Sequence, residues 1–409
     1  MNLSSGIKLA GVLYTQDTGN RRLLWDFADE MSARGWCVGG MVQDILYEED
    51  GSRLGVDAVA LDTGERIAIA RSTRQNKINK ECILDRGALI DASSILRRAI
   101  ENDLDLVVVE KFGEMEQDGD GLMGDILACA AAGIPVLVAV PASAIEGWRE
   151  FSGGIGTYLP SDICALRRWW GGERVLSELA TKVSDAPAKR VVVGINWTLV
   201  EGPDGCGLAQ SPAKGSAGCR SLGDAGELSG KPLNELAAKA DSWNPFEAAI
   251  GVAAINAHYN RYDLQGGNEN GLDAFIGREG TVACIGRFPR LGDRYQDLKV
   301  IEMDPNEDEY PESATEQVMA ASDGALMTSS ILVNKSFARI MNARGPNTET
   351  VMIGPGTPLA PAIANYGVDV VSGLVVEDVD AAARIIAEGG SVKKLKNHGR
   401  YVTLRVGKS

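Results

Sequence analysis

The spacing of apolar residues along the first part of the chain predicts a parallel sheet. Short apolar runs at 8–14, 104–112 and 134–140 predict strands, and the β-branched character of the last two predicts strands buried on both faces. Apolar residues at helical spacing predict helices at 89–102 and 121–132. Because strand and helix alternate, we expect a largely parallel sheet with helices on both sides.

A second apolar pattern follows a polar connector, helical or frayed, that is predicted as a linker at 172–190. Its last part again alternates strand and helix, with strands predicted at 281–286, 298–304, 324–328, 350–354 and 368–373. A length of 409 residues fits two or three domains. We expect domains at 1–171, 191–265 and 266–409. The predicted fold class is α/β, with two largely parallel Rossmann- or P-loop-like sheets and a small α+β domain between them.

Each predicted strand of the C-terminal region ends in a polar or glycine-containing segment. Ligands of parallel α/β sheets bind at the carboxyl ends of the strands, so these loops are expected to form one cleft. The turn at 354–358 would present backbone N–H groups and the Thr357 hydroxyl to an anionic oxygen. Glu302 has the position of a ribose-binding carboxylate, although no G-x-G-x-x-G motif accompanies it. The predicted ligand-binding residues are Gly286, Arg287, Phe288, Glu302, Thr328, Ser329, Asn334, Gly356, Thr357 and Pro358.

Two loops of the N-terminal region are candidates for a nucleotide or anion site. Residues 14–21 keep the second glycine of a Walker A loop but lack its lysine and magnesium-binding hydroxyl. A nucleotide could rest on the following helix N-terminus, without the groups that promote phosphoryl transfer. The acidic, glycine-rich loop 110–121 predicts either a solvated loop or an oxygen-rich cation site or nucleotide-associated Lys/Glu pair. The candidate residues are Gly19, Asn20, Lys111 and Gly113.

Charge and composition narrow the range of partners. With 56 acidic and 41 basic residues, the formal net charge of −15 disfavours nucleic acid and anionic membranes. No secretion signal and no membrane-spanning apolar run of ~20 residues is evident, so we expect a cytoplasmic protein. The 7 cysteines form no CxxC pair and the chain has 2 histidines, so any metal would depend mainly on oxygen ligands, cysteine or backbone groups.

The N-terminal region resembles a bacterial domain family of unknown function. That family is similar to degenerate P-loop nucleoside triphosphatases and often accompanies molybdenum-handling proteins. The resemblance rests on GWCVGGMVQD (35–44), EKFGEMEQDGDG (110–121), AAGIPVLVAVP (131–141) and LRRWW (166–170). Relatives commonly have Asn where this chain has Glu110, whereas Lys111 and Gly113 follow the family pattern.

From residue 191 to about 405 the chain resembles a heavy-metal chelation family. That family couples a small domain similar to the enolase N-terminal domain with a Rossmann-like domain. The segments that carry the resemblance are SWNPFEAAIGVAAINA (242–257), GRFP (286–289), IEMDP (301–305), TSSILVN (328–334), GPGTPLAP (354–361) and VSGLVVEDVDAA (371–382). The resemblance implies a metal-related role but does not define the metal ligands.

The two resemblances together predict a protein of metal homeostasis or metallocofactor handling. Its ligand would be a metal ion, an oxyanion such as molybdate or a metal-containing small molecule, bound in the C-terminal cleft. No catalytic nucleophile is evident, because neither His258 nor His398 falls in a triad pattern. An enzyme acting on a nucleotide-like or adenosyl substrate and a non-catalytic partner-binding scaffold are the alternatives. The Ala/Gly-rich helix at 248–257 would permit a homodimer contact.

Overall fold

The structure is a computed structural model in which the chain forms two compact units, Met1–Trp169 and Trp170–Ser409. Each unit is described by itself below. The predicted α/β class is confirmed, since a large, mostly parallel sheet lies in each unit and a small antiparallel sheet lies in the second. The described residues are 8–15, 22–72, 85–102, 104–110, 112–117, 121–153, 156–171, 174–213, 216, 218–345 and 347–407.

The sheet of the N-terminal unit is parallel at its centre and carries an antiparallel hairpin at one edge. Its strands are β1 (Leu9–Tyr14), β2 (Val38–Tyr47), β3 (Arg53–Ala60), β4 (Arg66–Arg71), β5 (Leu106–Val109), β6 (Val136–Pro141) and β7 (Thr157–Pro160). They lie in the order β4-β3-β2-β5-β6-β1-β7, and β3 pairs antiparallel with β2 and β4. Val107 and Val108 point to opposite faces and are both fully buried, so both faces of the sheet are covered.

Helices and aromatic side chains complete this unit. The helices described up to residue 170 are Leu23–Ala33, Arg86–Glu101, Glu114–Gln117, Met123–Ala131, Ile145–Phe151 and Ile163–Trp170. Gly133 follows the helix Met123–Ala131 with a φ of +83°, a conformation that glycine adopts readily at helix ends. Phe112, Trp148 and Phe151 pack with ring centroids 5.3–5.4 Å apart and fill the core on one side of the sheet.

The C-terminal unit contains a small antiparallel sheet and a large sheet. The small sheet has the order β10-β9-β8, with β8 at Arg190–Val193, β9 at Trp197–Glu201 and β10 at Cys206–Gln210. The strands of the large sheet are β11 (Val282–Ile285), β12 (Leu298–Glu302), β13 (Tyr310–Pro311), β14 (Gly324–Thr328), β15 (Glu349–Ile353), β16 (Val370–Val376) and β17 (Gly399–Arg405). Their order is β13-β12-β11-β14-β15-β16-β17, parallel except for the antiparallel pair β16 and β17.

The helix Pro245–Tyr259 lies inside the C-terminal unit. Residues 248–257 are all buried, and a Cβ on Gly207 of β10 would overlap with the Ala253 carbonyl oxygen. The homodimer therefore stays a prediction, but this buried face cannot form the contact. No helix in the described ranges has the length and apolar character needed to cross a membrane. The other helices of this unit are Val175–Thr181, Leu233–Ala238, Thr315–Ala320, Ser330–Val333, Phe337–Ala343, Val379–Ala387 and Val392–Leu395.

Part of the predicted linker is a packed helix. Within 172–190, Val175–Thr181 is helical, and its apolar residues join the core of the C-terminal unit. Glu178 on this helix is 4% exposed. The Tyr366 hydroxyl donates to Glu178 Oε2 at 2.6 Å, and the Asn365 amide donates to Oε1 at 3.3 Å. This segment is therefore part of the folded unit and not a solvent-exposed connector, because the Glu178 carboxylate binds a residue almost 190 positions later in the sequence.

Candidate functional site

A cleft of about 270 Å³ lies at the carboxyl ends of β11, β12 and β14. Gly286 and Arg287 follow β11, Glu302 ends β12, and Thr328 ends β14. Gln210, the last residue of β10, borders the same cleft from the small sheet. The fold thus brings loops from separate strands together, as expected for the carboxyl edge of a parallel sheet.

Glu302 joins the loop after β11 to the end of β12. The Arg287 backbone N–H donates to Glu302 Oε1 at 2.6 Å, and the Met303 N–H donates to Oε2 at 3.2 Å. Gly286 has a φ of +94°, and a Cβ on it would lie 2.7 Å from Thr328 Cγ2. Glycine is therefore needed at this position, both for the backbone conformation and for the close approach of Thr328.

Two arginine–glutamate pairs add to the charge that Glu302 gives the cleft wall. The Arg287 guanidinium donates to both carboxylate oxygens of Glu309, with Nε to Oε1 at 2.8 Å. This pairing lowers the pKa of Glu309 to about 2 and raises the pKa of Arg287. Arg339 Nη2 donates to Glu312 Oε1 at 2.7 Å. The cleft therefore offers fixed cationic groups whose charge is balanced nearby.

Hydroxyl and amide groups line the remaining wall. The Ser330 hydroxyl donates to Thr328 Oγ1 at 3.1 Å. Asn334 Oδ1 accepts the Ser336 hydroxyl at 2.7 Å and the Ser336 N–H at 3.1 Å. The Asn334 side-chain nitrogen makes no hydrogen bond within the part of the chain that is described, so it is a donor for a ligand.

The predicted turn at 354–358 does not line the cleft. Asn256 Nδ2 donates to the Gly356 carbonyl at 2.8 Å and to the Leu208 carbonyl at 2.7 Å, and Asn260 Nδ2 donates to the Thr357 carbonyl at 3.0 Å. Thr357 is fully buried, and its hydroxyl has no hydrogen-bond partner among the described residues. This turn is therefore packed inside the unit, where sequence reasoning had expected an open anion-binding loop.

The other predicted residues divide between the cleft and the core. Gly286, Arg287, Glu302, Thr328 and Asn334 line the cleft. Buried Ser329 and Pro358 do not line it, nor does Phe288, which packs against the apolar cluster that contains Val282 and Cys284.

Several lining residues carried no sequence signal of their own. Gln210 belongs to a different sheet, and Glu312 and Arg339 come from helical segments between strands. Ser330 and Ser336 flank predicted Asn334 within or just after the TSSILVN segment, so that segment was the one available pointer to them.

Thiol and imidazole groups are not assembled as a metal centre in the described residues. Across those ranges, no three His, Cys, Asp or Glu side chains lie together as candidate metal ligands. Burial, followed by the charge of Glu302, raises the pKa of the Cys284 thiol to about 12, and its Sγ lies 3.1 Å from the Gly286 carbonyl. Burial also lowers the pKa of His258, whose ring packs against Tyr259.

The N-terminal unit has a larger cleft of about 450 Å³, also at the carboxyl ends of its strands. Tyr14 ends β1, Glu110 follows β5 and Gln43 lies within β2, and all three residues line the cleft. The Gln43 backbone N–H donates to Glu110 Oε2 at 2.9 Å. Burial, followed by the negative charge of Glu110, raises the pKa of the Tyr14 phenol.

The predicted nucleotide or anion residues of this unit are mostly outside the described residues. Gly19, Asn20 and Lys111 fall in that category. The Gly113 N–H donates to Glu116 Oε2 at 2.8 Å, and the Leu122 N–H donates to Glu116 Oε1 at 3.1 Å. Glu116 is buried, so one carboxylate of the acidic loop has a structural role.

Family comparisons agree with the two resemblances read from the sequence motifs. Residues 9–169 match a family described as "Protein of unknown function (DUF2478)". Residues 176–259 and 271–405 match two family models, and both carry the description "Putative heavy-metal chelation". The resemblance of each half of the chain is thereby confirmed.

Individual relatives cover either half. The chain is 37% identical over 163 residues to "Molybdenum import ATP-binding protein ModC 2" of Bradyrhizobium diazoefficiens, a stretch that is 40% of this chain and 18% of that relative. A crystal structure of a protein of unknown function from the DUF364 family of Desulfitobacterium hafniense is 28% identical, with a TM-score of 0.51, covering 57% of this chain and 98% of that one. A DUF364 protein of Pyrococcus horikoshii, 22% identical with a TM-score of 0.50, covers 57% of this chain and 99% of that one and shares the fold.

Proposed function

We propose that the C-terminal cleft binds a metal oxyanion such as molybdate, a metal ion or a metal-containing small molecule. The protein would then serve in metal homeostasis or metallocofactor handling. The observation that carries this proposal is the convergence of Arg287, Glu302 and Thr328, from the ends of separate strands, on one polar cleft. The heavy-metal chelation description shared by the two C-terminal family matches supports it, as does the molybdenum-related name of the N-terminal relative.

The lining favours a ligand whose own oxygen atoms accept hydrogen bonds. Side chains that can donate are Gln210, Arg287, Thr328, Ser330, Asn334, Ser336 and Arg339. Hydrogen bonds from guanidinium groups to anionic oxygens are among the stronger ones in proteins. Both oxygens of Glu302 already accept backbone N–H groups, although a carboxylate keeps further lone pairs for a metal ion. We therefore rank an oxyanion or a metal complex above a bare metal ion.

The test combines metal analysis of the purified protein with calorimetric titration of molybdate and nickel. Thr328→Val removes the cleft hydroxyl while keeping the side-chain shape that packs against Gly286. We expect the variant to bind molybdate about tenfold more weakly, because a lost hydrogen bond to a charged ligand typically changes affinity by that order. Thr157→Val, at an exposed position of β7 in the other unit, is the matched control.

The outcome depends on the comparison between the two variants. The proposal would be contradicted if Thr328→Val bound each ligand, molybdate or nickel, as tightly as Thr157→Val does. It would also be contradicted if the unmodified protein bound neither ligand. Bound metal that co-purifies with the protein and is lost in Thr328→Val would support it.

A nucleotide-like or adenosyl substrate is the second candidate, and the position of Glu302 favours it. This carboxylate ends β12 beside the Gly286 loop, as a ribose-binding carboxylate does in nucleotide folds. Thermal-shift measurements with ATP, adenosylmethionine and NAD separate the candidates. Stabilisation by a nucleotide that Glu302→Ala abolishes would favour the enzyme, whereas bound metal unaffected by nucleotides would favour metal handling.

A further inference from the structure

Lys335 lies between two residues that line the C-terminal cleft, in a backbone conformation that lysine rarely adopts. Asn334 follows the helix Ser330–Val333 as its C-cap, and Lys335 comes next with a φ of +64°. Helices commonly end in this left-handed conformation, but the residue there is usually glycine, because a Cβ disfavours it. Asn334 and Ser336 line the cleft, whereas Lys335 does not. A lysine in this conformation needs a stabilising contact from its surroundings.

The side chain of Lys335 makes such a contact. Lys335 is half-buried, and its ammonium donates to the backbone carbonyl of Ala240. Burial lowers the pKa of Lys335, as expected for a cation that is partly withdrawn from water. The hydrogen bond joins two residues that are 95 positions apart in the sequence. It therefore connects the turn 334–336 to a separate part of the C-terminal unit.

Ala240 is a firmly packed attachment point. It is 1% exposed and belongs to the short helical turn Lys239–Asp241. A Cβ on Gly251 would overlap with the backbone of Ala240, so this short turn lies directly against the buried helix Pro245–Tyr259. The contacts thus continue from that helix through Ala240 and the Lys335 ammonium to the turn that borders the cleft.

The turn 334–336 carries hydrogen-bond donors of the cleft. Asn334 Oδ1 accepts the Ser336 N–H at 3.1 Å and the Ser336 hydroxyl at 2.7 Å. These two bonds orient the Asn334 amide, whose nitrogen is the donor for a ligand. Donors that are fixed before a ligand arrives cost less conformational entropy on binding. A contact that fixes this turn should therefore increase the affinity of the cleft.

We infer that Lys335 is a positioning residue of the C-terminal cleft, and that its ammonium, bound to the Ala240 carbonyl, holds the turn 334–336 so that Asn334 faces the ligand. Lys335 acts through Asn334 and Ser336 and does not itself touch the ligand. The inference rests on the proposed function, because it concerns a ligand of the same cleft.

The test is calorimetric titration of molybdate and nickel into the full chain and its variants at position 335. Lys335→Met keeps most of the side-chain stem but removes the ammonium, and we expect about tenfold weaker binding. Lys335→Gly also removes the ammonium but suits the left-handed backbone, so it should weaken binding in the same way. Lys335→Arg keeps a cationic donor and should bind within about threefold of the unmodified protein. Lys394→Met, at an exposed position outside the cleft lining, is the matched control for Lys335→Met.

The glycine and arginine variants separate positioning from a purely structural role. If Lys335 served only the shape of the backbone, Lys335→Gly would bind as tightly as the unmodified protein, and that result would overturn the inference. Unchanged affinity in Lys335→Met, or an Lys335→Arg variant as weak as Lys335→Met, would also overturn it. If Lys335→Met does not fold, the comparison of Lys335→Gly with Lys335→Arg decides.

Hydrogen exchange without a ligand distinguishes a failure of this inference from a failure of the proposed function. The Ser336 amide should exchange about tenfold faster in Lys335→Met than in the unmodified protein or Lys335→Arg, while the amides of β15 stay unchanged. If the unmodified protein binds neither molybdate nor nickel, the proposed function is wrong and the Ser336 exchange rate alone decides the inference. An exchange rate that does not change in Lys335→Met would overturn it.

Discussion

The two units place a cleft at the same edge of the same kind of sheet, yet they fix the neighbouring loops differently. In the C-terminal unit the turn 354–358 is held by Asn256 and Asn260, about 100 residues earlier in the sequence. In the N-terminal unit the acidic loop is closed locally, because Glu116 binds the N–H groups of Gly113 and Leu122. Sheet topology thus sets where a cleft forms, while the layer packed over each loop decides whether that loop reaches the cleft.

This difference predicts where the protein tolerates change. The C-terminal turn depends on close packing between β10, the helix Pro245–Tyr259 and the large sheet, so damage there should affect the whole unit. The N-terminal loop depends on one side chain near its own residues, so damage there should stay local.

The largest effect is expected for Asn256→Ala. The change leaves the buried carbonyls of Leu208 and Gly356 without their donor and opens a cavity, at a cost of about 2–4 kcal/mol in the free energy of unfolding. Urea unfolding followed by circular dichroism measures it, with the transitions of the two units fitted separately.

Asn256→Asp sharpens the same experiment. Aspartate keeps the shape but loses both donors and places a carboxylate beside two carbonyl oxygens, so it should destabilise the unit at least as much as alanine. A fully stable Asn256→Asp variant would show that the amide donors do not hold the turn, and the comparison between the units would then break.

A smaller and more local effect is expected for Glu116→Ala. The Gly113 and Leu122 N–H groups lose a charged acceptor, but the loop can open to water, so we expect a cost of about 1–2 kcal/mol. Hydrogen exchange at these two amides should accelerate about tenfold or more, while exchange in β5 and β6 stays unchanged. Faster exchange throughout the sheet would show that this loop is coupled to the whole unit after all.

Much of the fold could be predicted because local patterns specify it. The apolar runs at 104–112, 134–140, 281–286 and 324–328 formed the strands β5, β6, β11 and β14 as predicted. The packing of the helix at 175–181 into the core could not be predicted, because buried Glu178 looks like a solvated residue until Tyr366 is known to be its partner. The burial of a polar side chain depends on residues that are distant in the sequence. The spacing of apolar residues along the chain gives no information about such contacts.

The candidate site was predictable to a similar extent. Gly286, Glu302 and Thr328 end strands, and strand ends can be read from the pattern. The turn at 354–358 has the chemistry of an anion-binding loop, but Asn256 and Asn260 bury it, and no local signal gives that contact. Gln210 was missed because the small sheet brings it to the cleft.

A pH-dependent effect is expected from the charge pair at the C-terminal cleft. Because Arg287 lowers the pKa of Glu309 to about 2 in the folded protein, the pair stabilises the fold above the ordinary glutamate pKa of 4.5. Its contribution should be lost as the pH falls toward about 2. We expect Glu309→Gln to lower Tm by about 1–3 °C near pH 6, with the difference shrinking on acidification. Glu307→Gln, at an exposed neighbouring position, is the matched control. A difference that stays constant down to about pH 2.5 would rule out the pair as its source.

The smallest effect, and the one of opposite sign, is expected for Gly124→Ala in the helix Met123–Ala131 that follows the acidic loop. A Cβ there meets no described atom within 4 Å, so alanine should stabilise the N-terminal unit through helix propensity and a less flexible unfolded chain, by about 0.5 kcal/mol. Gly251 in the helix Pro245–Tyr259 marks the contrast, because a Cβ there would overlap with the backbone of Ala240. Urea unfolding of the N-terminal transition measures the gain. A destabilised Gly124→Ala variant would mean that the helix Met123–Ala131 is packed as tightly as the helix Pro245–Tyr259. The looser packing expected next to the acidic loop would then no longer distinguish the two units.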